Sequence, residues 1–135
     1  MTRSDPLYND WLHQQLRVQP DQLAVYDLTA DREFTWRQLN ERVDNVAQCL
    51  LAGGVNAGDR VAYLGLNSSD VLEIFFASVR IGAVYVPLNF RLTAPELSFI
   101  IGDCTPTAIF YDREFQSVIK AIDPAVMPTM TIESA

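Results

Sequence analysis

The sequence predicts an α/β fold: a three-layer, doubly wound, mainly parallel sheet with a small N-terminal hairpin. Three observations carry that expectation. Short apolar runs alternate with segments of helix length along most of the 135 residues. Runs such as Arg60-Val61-Ala62-Tyr63-Leu64-Gly65-Leu66 are apolar almost throughout, as strands covered on both faces are. Strands separated by helices imply right-handed crossovers, which lay helices on both sides of one sheet. No internal repeat of fixed period competes with this reading.

A first helix is expected over residues 7–16, with Trp11 and Leu12 on its inner face and Pro20 just beyond its end. Leu23-Ala24-Val25-Tyr26 and Glu33-Phe34-Thr35 are extended runs separated by Thr29-Ala30-Asp31-Arg32, the pattern of an antiparallel hairpin. The second helix has the clearest signal. Thr35 caps it and Gln38 stands three residues on, a capping box. Trp36, Leu39, Val43, Val46, Ala47, Leu50 and Leu51 recur at three- and four-residue steps, opposite Arg37, Glu41, Arg42, Asp44 and Gln48. Gly53-Gly54 ends it, because glycine takes the left-handed backbone without a Cβ clash.

A turn at Asn56-Ala57-Gly58-Asp59 leads into the strand that begins at Arg60. Ser68, Ser69 and Asp70 are N-cap candidates for a helix running to Ile81. That helix is apolar nearly all round, at Val71, Leu72, Ile74, Phe75, Phe76, Val79 and Ile81, so it is expected to be buried. Gly82 closes it, and Ala83-Val84-Tyr85-Val86 forms the next strand, stopped by Pro87. Thr93 and Glu96 make a second capping box, with Pro95 tolerated in the first turn and the helix ending near Gly102. Thr107-Ala108-Ile109-Phe110-Tyr111 is a strand, residues 114–122 a helix, and Met130-Thr131-Ile132 the start of a last strand.

A length of 135 residues suits one domain with one ordinary core. An apolar fraction of 49% excludes a disordered tail or a low-complexity linker. The formal net charge of −7 gives a surface that repels nucleic acid and anionic lipid, so no nucleic-acid partner is expected. No secretory or transit signal is visible at the N-terminus, and no apolar run approaches the roughly 20 residues that cross a bilayer. A cytoplasmic protein without a transmembrane segment is expected. Cys49 and Cys104 show no Cys-x-x-Cys spacing and read as two buried, reduced thiols rather than a disulfide.

The residues that carry chemistry are few. His13 has no identifiable base or nucleophile beside it and reads as a structural histidine. No His/Cys pair has metal-ligand spacing and no acidic loop is built for oxygen ligation, so no metal ligand is expected. A phosphate loop of the Gly-x-x-x-x-Gly-Lys-Ser/Thr type is missing, and Lys120 is the only lysine. Gly54 and Gly58 read as a cap and a turn rather than a dinucleotide fingerprint. Asp59, Asp70, Glu73, Asp103 and Asp112 lie at element boundaries, where capping and turn-making explain them. The Phe75-Phe76 pair reads as core, with an acyl pocket as the alternative. Arg91 is the one candidate binding residue. It follows a strand end, in a loop before a capped helix, where open α/β sheets gather ligands and helix N-termini favour anions. Solvation or an ion pair is the plainer alternative for it.

Phe34-Thr35-Trp36-Arg37-Gln38-Leu39, the long helix and Gly58-Asp59-Arg60-Val61-Ala62 together resemble the opening of an AMP-forming acyl-CoA synthetase. That family sits in the adenylate-forming superfamily with peptide-synthetase adenylation domains and firefly luciferase. Asn67-Ser68-Ser69-Asp70, followed by the run from Phe76 through Gly82-Ala83 to Val86-Pro87-Leu88-Asn89, resembles the family's second core motif. Phe90-Arg91-Leu92-Thr93 with Glu96-Leu97 resembles its continuation, and the likeness extends from Leu7 to Tyr111.

The resemblance implies an acid–CoA ligase. A carboxylic acid attacks the α-phosphate of ATP with the help of Mg²⁺, pyrophosphate leaves, and the thiol of CoA then displaces AMP. The family's lysine-bearing Ser/Thr/Gly-rich loop, metal-binding glutamate, ribose-binding aspartate and C-terminal catalytic lysine have no matching positions here. The expectation is therefore a truncated N-terminal subdomain over residues 1–135. No catalytic residue, no bound cofactor and no ligase activity of its own are expected. Exposed apolar area where other lobes would pack favours homo-oligomers. The arginine of the family's Asn-x-Arg-Leu segment lies at the CoA entrance, which assigns Arg91 to CoA phosphate; the family's usual proline is Phe90 here. Asn89 favours a CoA ligase over an adenylation domain serving a carrier protein, which usually has aspartate there. A non-catalytic α/β binding module is the remaining alternative.

Overall fold

The computed structural model describes residues 10–134. Helix α1 (Trp11–Val18) leads into a hairpin of β1 (Leu23–Asp27) and β2 (Arg32–Thr35), followed by α2 (Trp36–Ala52). Strands and helices then alternate: β3 (Arg60–Leu64), α3 (Ser69–Ile81), β4 (Val84–Leu88), α4 (Ala94–Cys104) and β5 (Ala108–Asp112). A 3₁₀ turn (Arg113–Phe115), α5 (Gln116–Ala121), a second 3₁₀ turn (Pro124–Val126) and β6 (Met130–Ser134) complete the described residues. The predicted part of the first helix at residues 7–9 lies outside them.

Both capping boxes form. Thr35 Oγ1 accepts from the Gln38 N–H at 3.2 Å and Gln38 Oε1 accepts from the Thr35 N–H at 2.9 Å, starting α2. Thr93 and Glu96 do the same for α4, at 3.4 and 2.8 Å. Each box satisfies two backbone donors that a helix start leaves without partners.

The hairpin forms a two-stranded antiparallel sheet of its own, while the main sheet is parallel, in the order β4-β3-β5-β6. Strand β3 is therefore flanked on both edges, with Tyr63 paired to Pro87 on one side and Phe110 on the other. The chain leaves β3 for one edge and returns past it to the other. With both crossovers right-handed, α3 and α4 fall on opposite faces. Two cores record this. Val61, Tyr63 and Phe110 pack with α2 and α3, whereas Ala62, Leu64 and Ile109 pack with α4 and α5. The three layers and the doubly wound parallel sheet are as expected.

Several expectations need correction. Leu12 is buried, but Trp11 is 58% exposed and points away from the core. Leu51 is exposed too, off the line of Leu39, Val43, Ala47 and Leu50 that α2 buries. Gly53 has ordinary φ; the left-handed residue after α2 is Gly54, at φ 87°. Pro87 does not stop β4 but lies inside it, which an edge strand tolerates because one side of its ladder is unpaired. Helix α4 runs past Gly102 to Cys104. There Arg60 reaches across to donate to the carbonyls of Cys104 and Thr105 at 2.8 and 3.0 Å, satisfying the helix end.

Helix α3 is less buried than its composition suggests, with Val79 exposed, and its buried residues include three polar ones, Ser69, Glu73 and Ser78. Glu73 is not a boundary residue. It lies mid-helix, 5% exposed, and pairs with Arg42 of α2. Arg80, further along α3, pairs with Asp10 at 3.0 Å and Asp44 at 2.9 Å and donates to Asn40 Oδ1, binding α3 to α2 and to the cap of α1. Cys49 and Cys104 are free, but Cys49 is exposed and Cys104 half-buried, so neither is the buried thiol expected.

Replacing Thr35 with Ala removes one acceptor of the α2 capping box. It is expected to lower the unfolding free energy by about 1 kcal/mol, read as a shifted urea midpoint at unchanged slope.

Candidate functional site

A crevice lies at the carboxyl ends of β3 and β4, on the end of the sheet where open α/β folds bind ligands. A cleft of about 470 Å³ lies there, with Tyr63, Gly65, Asn67, Tyr85, Asn89 and Arg91 on its walls. The segment 65–68 that leaves β3 forms one wall through Gly65, Leu66 and Asn67, and residues 89–91 form the other as the chain leaves β4.

Gly65 is required by a close approach. A Cβ there would fall 2.6 Å from Tyr63 Oη and 2.8 Å from the Asp112 Cβ. The Tyr63 phenol folds back over this glycine and donates to the Leu66 carbonyl at 3.4 Å. Burial pushes the Tyr85 phenol up to about 12 and raises Tyr63 as well, so both rings are neutral at physiological pH. Tyr85 is braced from behind by Phe75, edge-on at 5.6 Å, and Phe75 in turn meets Phe76 at 5.2 Å. Neither phenylalanine lines the cleft: Phe76 packs against the core with α2 and α3, and Phe75 supports Tyr85.

Arg91 lies where the sequence places it, exposed at the cleft mouth. Its backbone N–H donates to Asn89 Oδ1 at 3.0 Å. The guanidinium lies over the Phe90 ring, 4.6 Å from the centroid, and Phe90 rests on Phe115 at 5.7 Å. Among the described residues no carboxylate pairs with Arg91. Its five donors face solvent, arranged to meet a planar or tetrahedral anion.

The wall at residues 65–68 is held from the far side by the hairpin. Asp27 Oδ2 accepts from both the backbone N–H and the hydroxyl of Ser69, each at 2.9 Å, and Oδ1 accepts from the Ala30 N–H at 3.0 Å. Arg32 donates to Ser69 Oγ at 2.7 Å and lies 3.6 Å from the Asp27 carboxylate. The hydrogen bonds from Ser69 and Ala30 hold the Asp27 carboxyl far below the usual carboxylate range. Sequence reasoning placed the α3 cap among Ser68, Ser69 and Asp70. Ser68 occupies the N-cap, yet its side chain makes no capping bond, and the acceptor comes instead from Asp27.

Among the described residues the cleft walls contain no carboxylate, histidine, cysteine or lysine. What remains is an arginine, two amides, two neutral phenols and apolar surface, a set that binds polar or anionic groups without transferring protons. His13 belongs to α1 and pairs with Asp10 at 3.4 Å. Among the described residues no group of His, Cys, Asp and Glu could hold a metal ion, and no helix is long and apolar enough to cross a membrane. Tyr63, Asn67 and Tyr85 were not singled out from the sequence as lining residues. Their positions at or just past strand ends were the available signal.

The family model described as AMP-binding enzyme matches residues 12–134. A long-chain-fatty-acid–CoA ligase, FadD13, from Mycobacterium tuberculosis is 36% identical over 121 residues, which is 90% of this chain and 24% of that protein. A fatty acid–[acyl-carrier-protein] ligase, ScoC, from Streptomyces coeruleorubidus is 42% identical over 101 residues, 75% of this chain and 19% of that protein. Among solved structures, the inhibitor-bound N-terminal domain of FACL13 from Mycobacterium tuberculosis superposes with a TM-score of 0.85 at 35% identity, covering 91% of this chain and 32% of that one. This chain thus spans about a quarter or less of the curated relatives it matches.

Gly65→Ala is expected to drive Tyr63 off its position and strain the contact with Asp112, costing about 1–3 kcal/mol of stability. Denaturant unfolding together with tyrosine fluorescence checks both effects.

Proposed function

The chain belongs to the AMP-binding enzyme family, and from that premise we propose that it is the N-terminal portion of an AMP-forming acid–CoA ligase. Residues 1–135 then form one subdomain of a larger polypeptide, which uses ATP, Mg²⁺ and CoA to convert a carboxylic acid to its thioester. The observation that carries the proposal is the solvent-facing guanidinium of Arg91, free of carboxylate partners among the described residues, at the mouth of the strand-end cleft. Arg91 fits a phosphate of CoA: a bidentate fork orients a phosphate and contributes charge-assisted hydrogen bonds. Phe90 under the guanidinium and Asn89 on its backbone N–H limit the orientations it samples. CoA, when bound, supplies the thiol.

Tyr63 and Tyr85 remain neutral and close the cleft floor, so this part of the site binds and orients. Mg²⁺ is different. No cluster among the described residues suits it, and no step through the metal falls to this chain. Exposed Leu28, Phe99 and Trp11, at 80%, 77% and 58%, support packing against further lobes or other copies.

A second reading has its own support. The 42% identity to a ligase named for an acyl carrier protein favours phosphopantetheine as the thiol donor, whereas Asn89 favours CoA. In the full polypeptide that carries this segment, Arg91→Ala is expected to raise the KM for CoA about ten-fold, on the scale of one charge-assisted phosphate contact. The KM for ATP should stay within about two-fold in the same comparison. An unchanged CoA dependence removes Arg91 from the site. The 135-residue chain alone, given ATP, Mg²⁺, CoA and fatty or aryl acids, is expected to form no thioester in a thiol-consumption assay.

A further inference from the structure

We propose that Asp27 is a positioning residue, whose carboxylate clamps the first turn of α3 and so sets the cleft wall at residues 65–68. The relevance to ligand binding rests on the ligase reading; the positioning itself does not. The wall is a four-residue bridge with two anchors. At one end, Leu64 is held in register between Leu88 and Tyr111 of the neighbouring strands. At the other, the Ser69 N–H and hydroxyl are held by a carboxylate 42 residues earlier in the chain. Within the bridge the Tyr63 hydroxyl donates to the Leu66 carbonyl at 3.4 Å and lies over Gly65, which ties the first half to β3 and leaves Asn67 between that contact and the Ser69 clamp.

The clamp is built from buried polar groups. Asp27 is 7% exposed and Ser69 2%. Asp27 also holds the Ala30 N–H in the hairpin turn, and Arg32 ties Ser69 Oγ to the same carboxylate while reaching Asp70 at 3.5 Å. Ser68 contributes no capping bond, so the Ser69 N–H takes its acceptor from the hairpin, and the Asp27 charge joins that of Asp70 at the positive end of α3. The hairpin shares no ladder with the main sheet; Val25 and Phe34 pack it against the core, and Asp27 joins it to α3.

The test compares amide spectra and hydrogen exchange of the 135-residue chain as wild type, Asp27→Asn and Ser69→Ala. In Asp27→Asn the Ser69 amide should exchange about ten-fold faster, the scale of one lost charged cap. The Leu66 and Asn67 amides should move with it, while the β5–β6 ladder stays unchanged. Ser69→Ala keeps the carboxylate and the backbone bond and should move the wall less. Changes confined to the hairpin and Ser69, or a larger effect from Ser69→Ala, would overturn the proposal.

A pH series adds a readout that general destabilisation does not reproduce. The charged groups around Asp27 are Arg32 of β2 and Asp70 of α3, with Arg42 of α2 acting on Asp70. Because the folded value of Asp27 is depressed, its contribution is complete above the ordinary carboxylate range and is lost as pH falls through the folded value. The Leu66 and Asn67 resonances should therefore show a step below the ordinary carboxylate range of about pH 4, separate from any change due to Asp70 at higher pH. In Asp27→Asn that low-pH step should vanish. A change at higher pH common to both proteins belongs to Asp70, whose carboxyl is raised by burial, whereas a low-pH step that survives in Asp27→Asn defeats the proposal. Titrating the same samples with CoA tests the ligase reading separately: absent binding by wild type counts against that reading and leaves the wall result standing.

Discussion

The architecture depends on β3 having a partner strand on each edge. A strand in that position must send its crossovers in opposite directions, and a shared hand puts the two helices on opposite faces. From this follow the two cores and the near-complete burial of Val61, Ala62, Tyr63 and Leu64. The cleft lies at the carboxyl ends of β3 and β4. Its walls are the segments that leave β3 and β4, so their side chains become ligand-facing residues without any special local sequence.

Polar groups fix how the outer elements sit on this frame. Hydrophobic burial is non-directional and leaves helices free to slide. Paired charges are directional and are costly to leave half made. Arg42 with Glu73, Arg80 with Asp10 and Asp44, and Asp27 with Ser69 each join segments distant in sequence, and they converge on α3. Helix α3 therefore carries buried polar residues where its composition suggested a uniformly apolar rod.

The strand-end cleft is the binding surface we propose, and the chain belongs to the AMP-binding enzyme family. An arginine over a phenylalanine ring is a means of presenting charge with little conformational freedom. The Phe90 ring also contacts Phe115, which restrains the loop that carries Arg91.

The sequence by itself determined what depends on neighbours a few residues apart. Both capping boxes, the buried line of α2, the left-handed glycines Gly54 and Gly58, the hairpin and the alternation that makes the sheet parallel could be read from spacing. Arg91 was legible because a strand end and a capped helix bracket it. Only the tertiary structure decided the exposure of Trp11 and Leu51, the continuation of β4 through Pro87, the Arg60 contacts that satisfy the end of α4, and the lining roles of Tyr63, Asn67 and Tyr85. It also decided that Asp27 caps α3 from 42 residues away. The division has one physical reason. Capping and amphipathic periodicity act within a turn or two of backbone and leave a pattern in the letters, whereas a long-range hydrogen bond or an edge position exists only once the chain has packed.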